Sequence, residues 1–180
     1  KNATTIRAML RVTLCLGFLL SGCGQRPSAP TEAEAHAAFV ERVPRLTNLE
    51  GAVTDGIRKA GLSKHKPDCA TGDQTCFELI RKRDLEIATA QKAISNLISP
   101  WDIACAEITV ATPNHGEELV TRVATCAPGR RGDAVDRGAK IGEYDVGWGV
   151  YFKNDQVMKR GIAVHREWKD GDATATIEIY

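Results

Sequence analysis

The chain has 180 residues, of which 43% are hydrophobic, and its 24 Lys and Arg nearly balance 23 Asp and Glu. Such a balance excludes a nucleic-acid binder, which needs a clear basic excess on one face. The length exceeds what a leader and tether would use by about 150 residues, enough for one domain with a hydrophobic core.

Residues 1–22 carry Lys1, Arg7 and Arg11 and no acidic residue, followed by an apolar run from Val12 to Leu20. That run is far short of the roughly 20 residues a membrane-spanning helix requires. A basic flank, a short apolar core and small residues after it read as a signal peptide. Leu20-Ser21-Gly22-Cys23 resembles the lipobox of bacterial lipoprotein precursors. The resemblance implies cleavage before Cys23, diacylglycerol on its thiol and acylation of the new amino terminus. More than one acyl chain gives a durable membrane hold. In those lipoproteins Asp after the cysteine often signals inner-membrane retention; here residue 24 is Gly, which implies outer-membrane delivery facing the periplasm. Three of the 24 basic residues leave with the leader, so 21 face 23 acidic ones in the mature chain. Residues 24–31 (GQRPSAPT) are polar with two prolines and read as a tether after the lipidated Cys23. Residues 32–180 are expected to form a single α+β domain.

Three capping boxes predict three helices: Thr31 with Glu34, Thr47 with Glu50, and Thr75 with Glu78. The first runs to about Val43, before Pro44. The second ends near Gly61, a favourable C-terminal cap. The third is long, from Cys76 to Ile98, with Phe77, Ile80, Ile87, Ile94, Leu97 and Ile98 as its buried stripe. The charges between them, Arg81, Lys82, Arg83 and Asp84, read as a solvated face.

From Trp101 onward the hydrophobic period changes to two, and about five antiparallel strands are expected, packed on the long helix. Ile103–Ala111 and Leu119–Cys126 form a hairpin around Pro113–Gly116. A register in which paired positions sum to 231 stacks Ile108 on Val123 and Thr112 on Leu119, and sets Cys105 opposite Cys126. Cys15 leaves with the leader and Cys23 is lipidated, so Cys69, Cys76, Cys105 and Cys126 remain for two disulfides. Directly opposed strand residues have nearly the Cβ spacing a disulfide needs, which favours Cys105–Cys126 and, by elimination, Cys69–Cys76. Pro128–Glu143 reads as a long polar loop rich in glycine, with Arg130, Arg131, Arg137 and Lys140 as a candidate anion- or partner-binding lip.

The clearest strand is Tyr144–Lys153, with Tyr144, Val146, Trp148, Val150 and Phe152 on one face. Gly147 and Gly149 leave a bare strip on the opposite face, where a ligand or partner could approach. An odd-length turn at Asn154–Gln156 pairs Phe152 with Met158 and Trp148 with Ile162. A turn at Asp170-Gly171 pairs Ile177 with Val164 and Ile179 with Ile162. Helices followed by such a meander resemble cystatin-like or cone-shaped nuclear-transport-factor-like folds, a resemblance of architecture that implies no activity.

No HExxH, GxSxG, GxxxxGK or CxxC motif is present, and none of His36, His65, His115 and His165 stands at metal-ligand spacing from another ligand. No catalytic set, metal or cofactor is expected; Glu107, Arg122 and His165 are the nearest to an acid/base grouping. Asp170-Gly171-Asp172 lacks the later ligands of a calcium loop. The expectation is a non-enzymatic, lipid-anchored envelope protein that binds a protein or cell-wall partner through Arg130, Arg131, Arg137, Lys140 or the Trp148 strand. The alternative is a small-ligand carrier or sensor with a pocket between sheet and helix, lined by Trp148, Phe152, Trp168 or Ile94.

Overall fold

The computed structural model describes residues 28–64, 67–103, 105–113, 116–123, 137–153 and 156–180, with backbone alone for 120, 123 and 150–160. Residues 1–27, Cys23 among them, and His65, His115, Cys126, Arg130 and Arg131 lie outside the described residues. The order of elements is α1 (Glu32–Ala60), α2 (Gln74–Ile98), β1 (Ala106–Thr112), β2 (Gly116–Val123), β3 (Arg137–Ile141), β4 (Tyr144–Lys153), β5 (Gln156–Asp170) and β6 (Ala173–Ile179). The fold is α+β, as expected, but the described strands number six, in one antiparallel sheet of order β2-β1-β6-β5-β4-β3. The added strand is β3, inside the segment expected to be all loop. It closes on β4 through Gly142, whose φ of +61° glycine adopts without strain.

The first two expected helices are one. Thr31 and Glu34 do form the N-terminal capping box, and Gly61 does cap the far end. Between them the helix runs through Pro44, and Thr47 does not cap anything. Its hydroxyl donates back to the Val43 carbonyl at 3.0 Å. Phe39, Leu46, Leu49, Val53 and Ile57 are buried, and the step from Phe39 to Leu46 is two turns, so the apolar stripe stays in phase across the proline. A proline inside a helix costs about 3 kcal/mol, and each large buried side chain contributes roughly 1.5–3 kcal/mol. Burial wins.

Helix α2 begins two residues early, because Asp73 rather than Thr75 is its cap and accepts from the Cys76 amide. Its inner stripe is Cys76, Ile80, Arg83, Ile87, Ala90, Ile94 and Ile98, alternating in steps of four and three until the last turn. Phe77 and Leu97 are exposed rather than buried. Arg83 is the other correction: it occupies a core position of the stripe, with only 7% of its surface exposed. The helices touch where Gly56 meets Ala90; a Cβ on Gly56 would stand 2.7 Å from the Ala90 Cβ.

Two hairpin registers differ from expectation by two residues, which keeps every side chain on its expected face. In β1–β2 the pairs are Ile108–Thr121 and Val110–Leu119, and a three-residue connection with a bulge at Val110/Ala111 takes up the slack. In β5–β6 the turn is Gly171-Asp172, so Ile179 pairs with Val164 and Ile177 with Arg166. The β4–β5 hairpin departs from the expected odd-length turn and from the Phe152–Met158 pair that went with it. Its turn is the even one, with Phe152 opposite Val157, and a bulge after Tyr151 then restores Trp148 opposite Ile162.

The inner sheet face and both helices share one core, including Ile94, Ile108, Leu119, Trp148, Ile162, Ile177 and Ile179. Two polar networks cross it. Arg83 donates to both carboxylate oxygens of Glu118 at 2.6 Å and to the Gly61 carbonyl at 3.3 Å, and the Thr112 hydroxyl donates to Glu118 at 2.7 Å. The second joins α1 to β4 and β5: the Tyr144 hydroxyl and the Arg166 guanidinium both donate to Glu50. Arg166 also stacks between Tyr144 and Trp168, 5.1 and 5.5 Å from the ring centres.

Candidate functional site

The antiparallel registers line up one row of outward-facing residues across all six strands: Lys140, Asp145, His165, Glu178, Glu107 and Arg122. At the β1–β2 end of the row the charges are satisfied. Arg122 donates to Glu107 at 2.8 and 2.9 Å, and these hydrogen bonds raise the pKa of its guanidinium against the opposing effect of desolvation. At the β3–β5 end they are looser. His165 Nδ1 stands 3.7 Å from an Asp145 oxygen, and Lys140 has no ion pair among the described residues.

The neighbouring row is Gly138, Gly147 and Ala163, one residue on each of β3, β4 and β5. Without side chains longer than a methyl group, this row lowers the sheet surface. The result is a concavity of about 460 Å³ on the outer face. Its rim carries Arg137, Lys140, Asp145, His165 and Tyr180. A Cβ on Gly147 would meet the Arg137 carbonyl and the Ala163 Cβ at 3.7 and 3.8 Å, ordinary contact distances, so alanine would fit while filling the floor.

Of the binding residues expected from sequence, Lys140 therefore faces this site, with the glycine strip as its floor, while Arg137 pairs with Trp148 on the other face and reaches the edge of the concavity with its carbonyl. Trp148 does not join them. It lies on the opposite face, 5% exposed, in the core. Asp145, His165 and Tyr180 were missed as a group. The signal for them is the strand register, since Asp145 and His165 pair directly across β4–β5. Glu107 and Arg122 share the His165 row but stand at its far end. What the rim can do is present the Lys140 ammonium and the His165 imidazole to an anionic or polar partner.

A second, shallower concavity of about 610 Å³ runs along α1 between Thr47 and Arg58. Its charges are already engaged: Glu50 with Tyr144 and Arg166, Asp55 with Lys59, and Arg58 with Asp170. The outer sheet concavity is the better candidate.

Cys69 and Cys76 form a disulfide with Cα atoms 5.6 Å apart, as expected. It fastens the connection between the helices to the first turn of α2. Cys105 is also disulfide-bonded, and its partner lies outside the described residues. The β1–β2 register is not the one that set Cys105 directly opposite Cys126. Among the described residues no helix is long and apolar enough to cross a membrane.

No family model matches the chain, and neither a curated protein nor a solved structure is significantly similar to it. The site is read from its own chemistry.

Proposed function

We propose that the chain is a non-enzymatic bacterial envelope lipoprotein, anchored through lipid on Cys23, that binds an envelope protein or cell-wall partner on the outer face of β3–β5. The observation that carries the binding surface is the glycine-floored concavity rimmed by Lys140 and His165. Lys140 has no ion pair among the described residues, and a cation is inexpensive to desolvate only against an anionic or polar group, so the rim favours one. The anchor rests on the Leu20–Cys23 motif, and outer-membrane delivery on Gly24.

Two measurements test this. Metabolic labelling with radioactive palmitate marks the chain, and Cys23→Ser abolishes the label; an unlabelled wild type overturns the anchor. A photo-crosslinking residue at Lys140 or His165 yields a discrete envelope adduct that the same residue at exposed Leu85 on α2 does not. Identical adduct patterns at all three sites overturn the binding face. The concavity has the volume of a small-ligand site, and it lies outside the sheet rather than between sheet and helix, where Trp148 and Ile94 are packed in the core.

A further inference from the structure

The rim of the outer concavity is not uniformly basic. Along the outward row, β3, β4, β5 and β6 contribute Lys140, Asp145, His165 and Glu178 in turn. A carboxylate therefore stands between Lys140 and His165. Neighbouring strands lie about 4.8 Å apart, so a purely anionic group that reached both would lie against Asp145, and like charges so placed repel. The row disfavours a simple anion and suits a ligand that carries both signs.

Both charges are open to such a ligand. Lys140 and Asp145 are a direct cross-strand pair, and the Cβ atoms of such a pair are about 5 Å apart. Opposite charges at that spacing can join, yet Lys140 makes no ion pair among the described residues. Asp145 stands 3.7 Å from His165 Nδ1, beyond hydrogen-bonding distance. Its side chain is 64% exposed. The carboxylate keeps acceptor sites and the ammonium keeps donors.

The floor lies beside this pair. Gly138 and Gly147 are paired two residues further along β3 and β4, about 7 Å away. With Ala163 they offer nothing longer than a methyl group. Tyr180 lines the same concavity. A short carbon chain fits over the strip while its charged end meets Lys140 and Asp145.

We propose that the concavity captures a free amino-acid head group, an ammonium and a carboxylate on one carbon, with the carboxylate on Lys140 and the ammonium on Asp145. This names the ligand class of the binding face and rests on that reading. Two sources carry the group: a free amino acid, and the side-chain end of a diamino acid such as diaminopimelate in a cell-wall peptide.

The test follows backbone amide shifts by NMR in the full mature chain carrying Cys23→Ser. The probes are alanine, the peptide Ala-γ-Glu-diaminopimelate, the same peptide with lysine in place of diaminopimelate, N-acetylalanine and acetate. Alanine or the diaminopimelate peptide is expected to shift Gly138, Lys140, Gly147 and Ala163, and the other three are expected to leave them in place. A response to the peptide alone assigns the cell-wall source, and an equal response to alanine assigns the free amino acid. No response to either, or an equal response to acetate or to the lysine peptide, overturns the proposal. K140Q and D145N are each expected to weaken binding about fivefold, the upper range for an exposed charge pair. G147V raises the floor and is expected to abolish binding. K169Q, exposed near the other end of β5, is expected to leave it unchanged. A G147V variant that binds like the wild type overturns the proposal, as does K169Q weakening binding as much as K140Q. Should G147V fail to fold, K140Q and D145N decide, and wild-type binding by both overturns the proposal. Photo-crosslinking at Lys140 is read separately, so a binding face that lacks this ligand is distinguishable from the absence of a binding face.

Discussion

The two arginine networks in the core look alike and are built differently. Arg83 and Glu118 are sealed, with 7% and 8% of their side chains exposed, whereas Arg166 and Glu50 retain 19% and 18%. In the first, the guanidinium meets a carboxylate, a helix-cap carbonyl and, through Glu118, a threonine hydroxyl, so one network joins α1, α2, β1 and β2. In the second, the cation is held between two aromatic rings at the margin of the helix–sheet interface. A sealed ion pair adds little over an apolar pair of the same shape, but losing one member is costly. A half-open pair is screened by solvent and salt. Sealing, rather than geometry, should decide what each arginine is worth.

The largest effect is expected at Arg83. R83A leaves Glu118 buried without its cation and is expected to destabilise the domain by about 3–5 kcal/mol in urea unfolding. The double variant R83M/E118L removes both charges and is expected to recover most of that loss. If the double variant is as unstable as R83A, the pair contributes net stability and the comparison breaks. At the second network E50Q keeps an acceptor for the Tyr144 hydroxyl and removes only the charge facing Arg166. Hydrogen bonds to charged groups contribute about 1.5–3 kcal/mol, so a loss near the lower end of that range is expected. Raising the salt to 0.5 M should shrink the E50Q difference and leave that of R83A unchanged. Equal salt sensitivity would remove the distinction between sealed and half-open.

These two networks also mark where sequence reasoning stops. Hydrophobic period two assigned the faces of β1, β2, β5 and β6, and the register errors of those two hairpins were even numbers, because burial selects a face but not which of several residues on it pair; at the tip of β4–β5, Phe152 pairs one residue away from expectation. The β4–β5 hairpin shows why: a bulge after Tyr151 lets an even turn and an odd register coexist, and nothing local announces it. Thr47 and Glu50 match a capping box, but Glu50 has a stronger use across the interface with Tyr144 and Arg166, and the helix continues. Arg83 was legible in principle. It sits three residues after Ile80 and four before Ile87, at a core position, and a charge there requires a buried partner of opposite sign. Which acid that would be, Glu118, depended on the β1–β2 register. The binding face was half legible for the same reason: Lys140 and Gly147 stood out by type, while Asp145 and His165 joined them only once β4 and β5 were paired.

The smallest expected effect is the most specific to the half-open network. Burial, together with the hydrogen bond to Glu50, pushes the Tyr144 phenol up to about 12, while Arg166 pulls it down. An unfolded tyrosine ionises near 10. The native state therefore favours the neutral phenol, and the contribution to stability is whole below pH 10 and lost as pH rises through 12. Many lysines titrate in the same window, so the readout is the difference between wild type and Y144F. That difference is expected to be constant from pH 7 to 9.5 and to shrink between pH 10 and 12. In an absorbance titration of the phenolate, E50Q should bring one tyrosine down toward its ordinary range and R166M should move it up. If E50Q leaves the titration unchanged, Glu50 does not hold the phenol, and the two arginine networks differ in less than their exposure suggests.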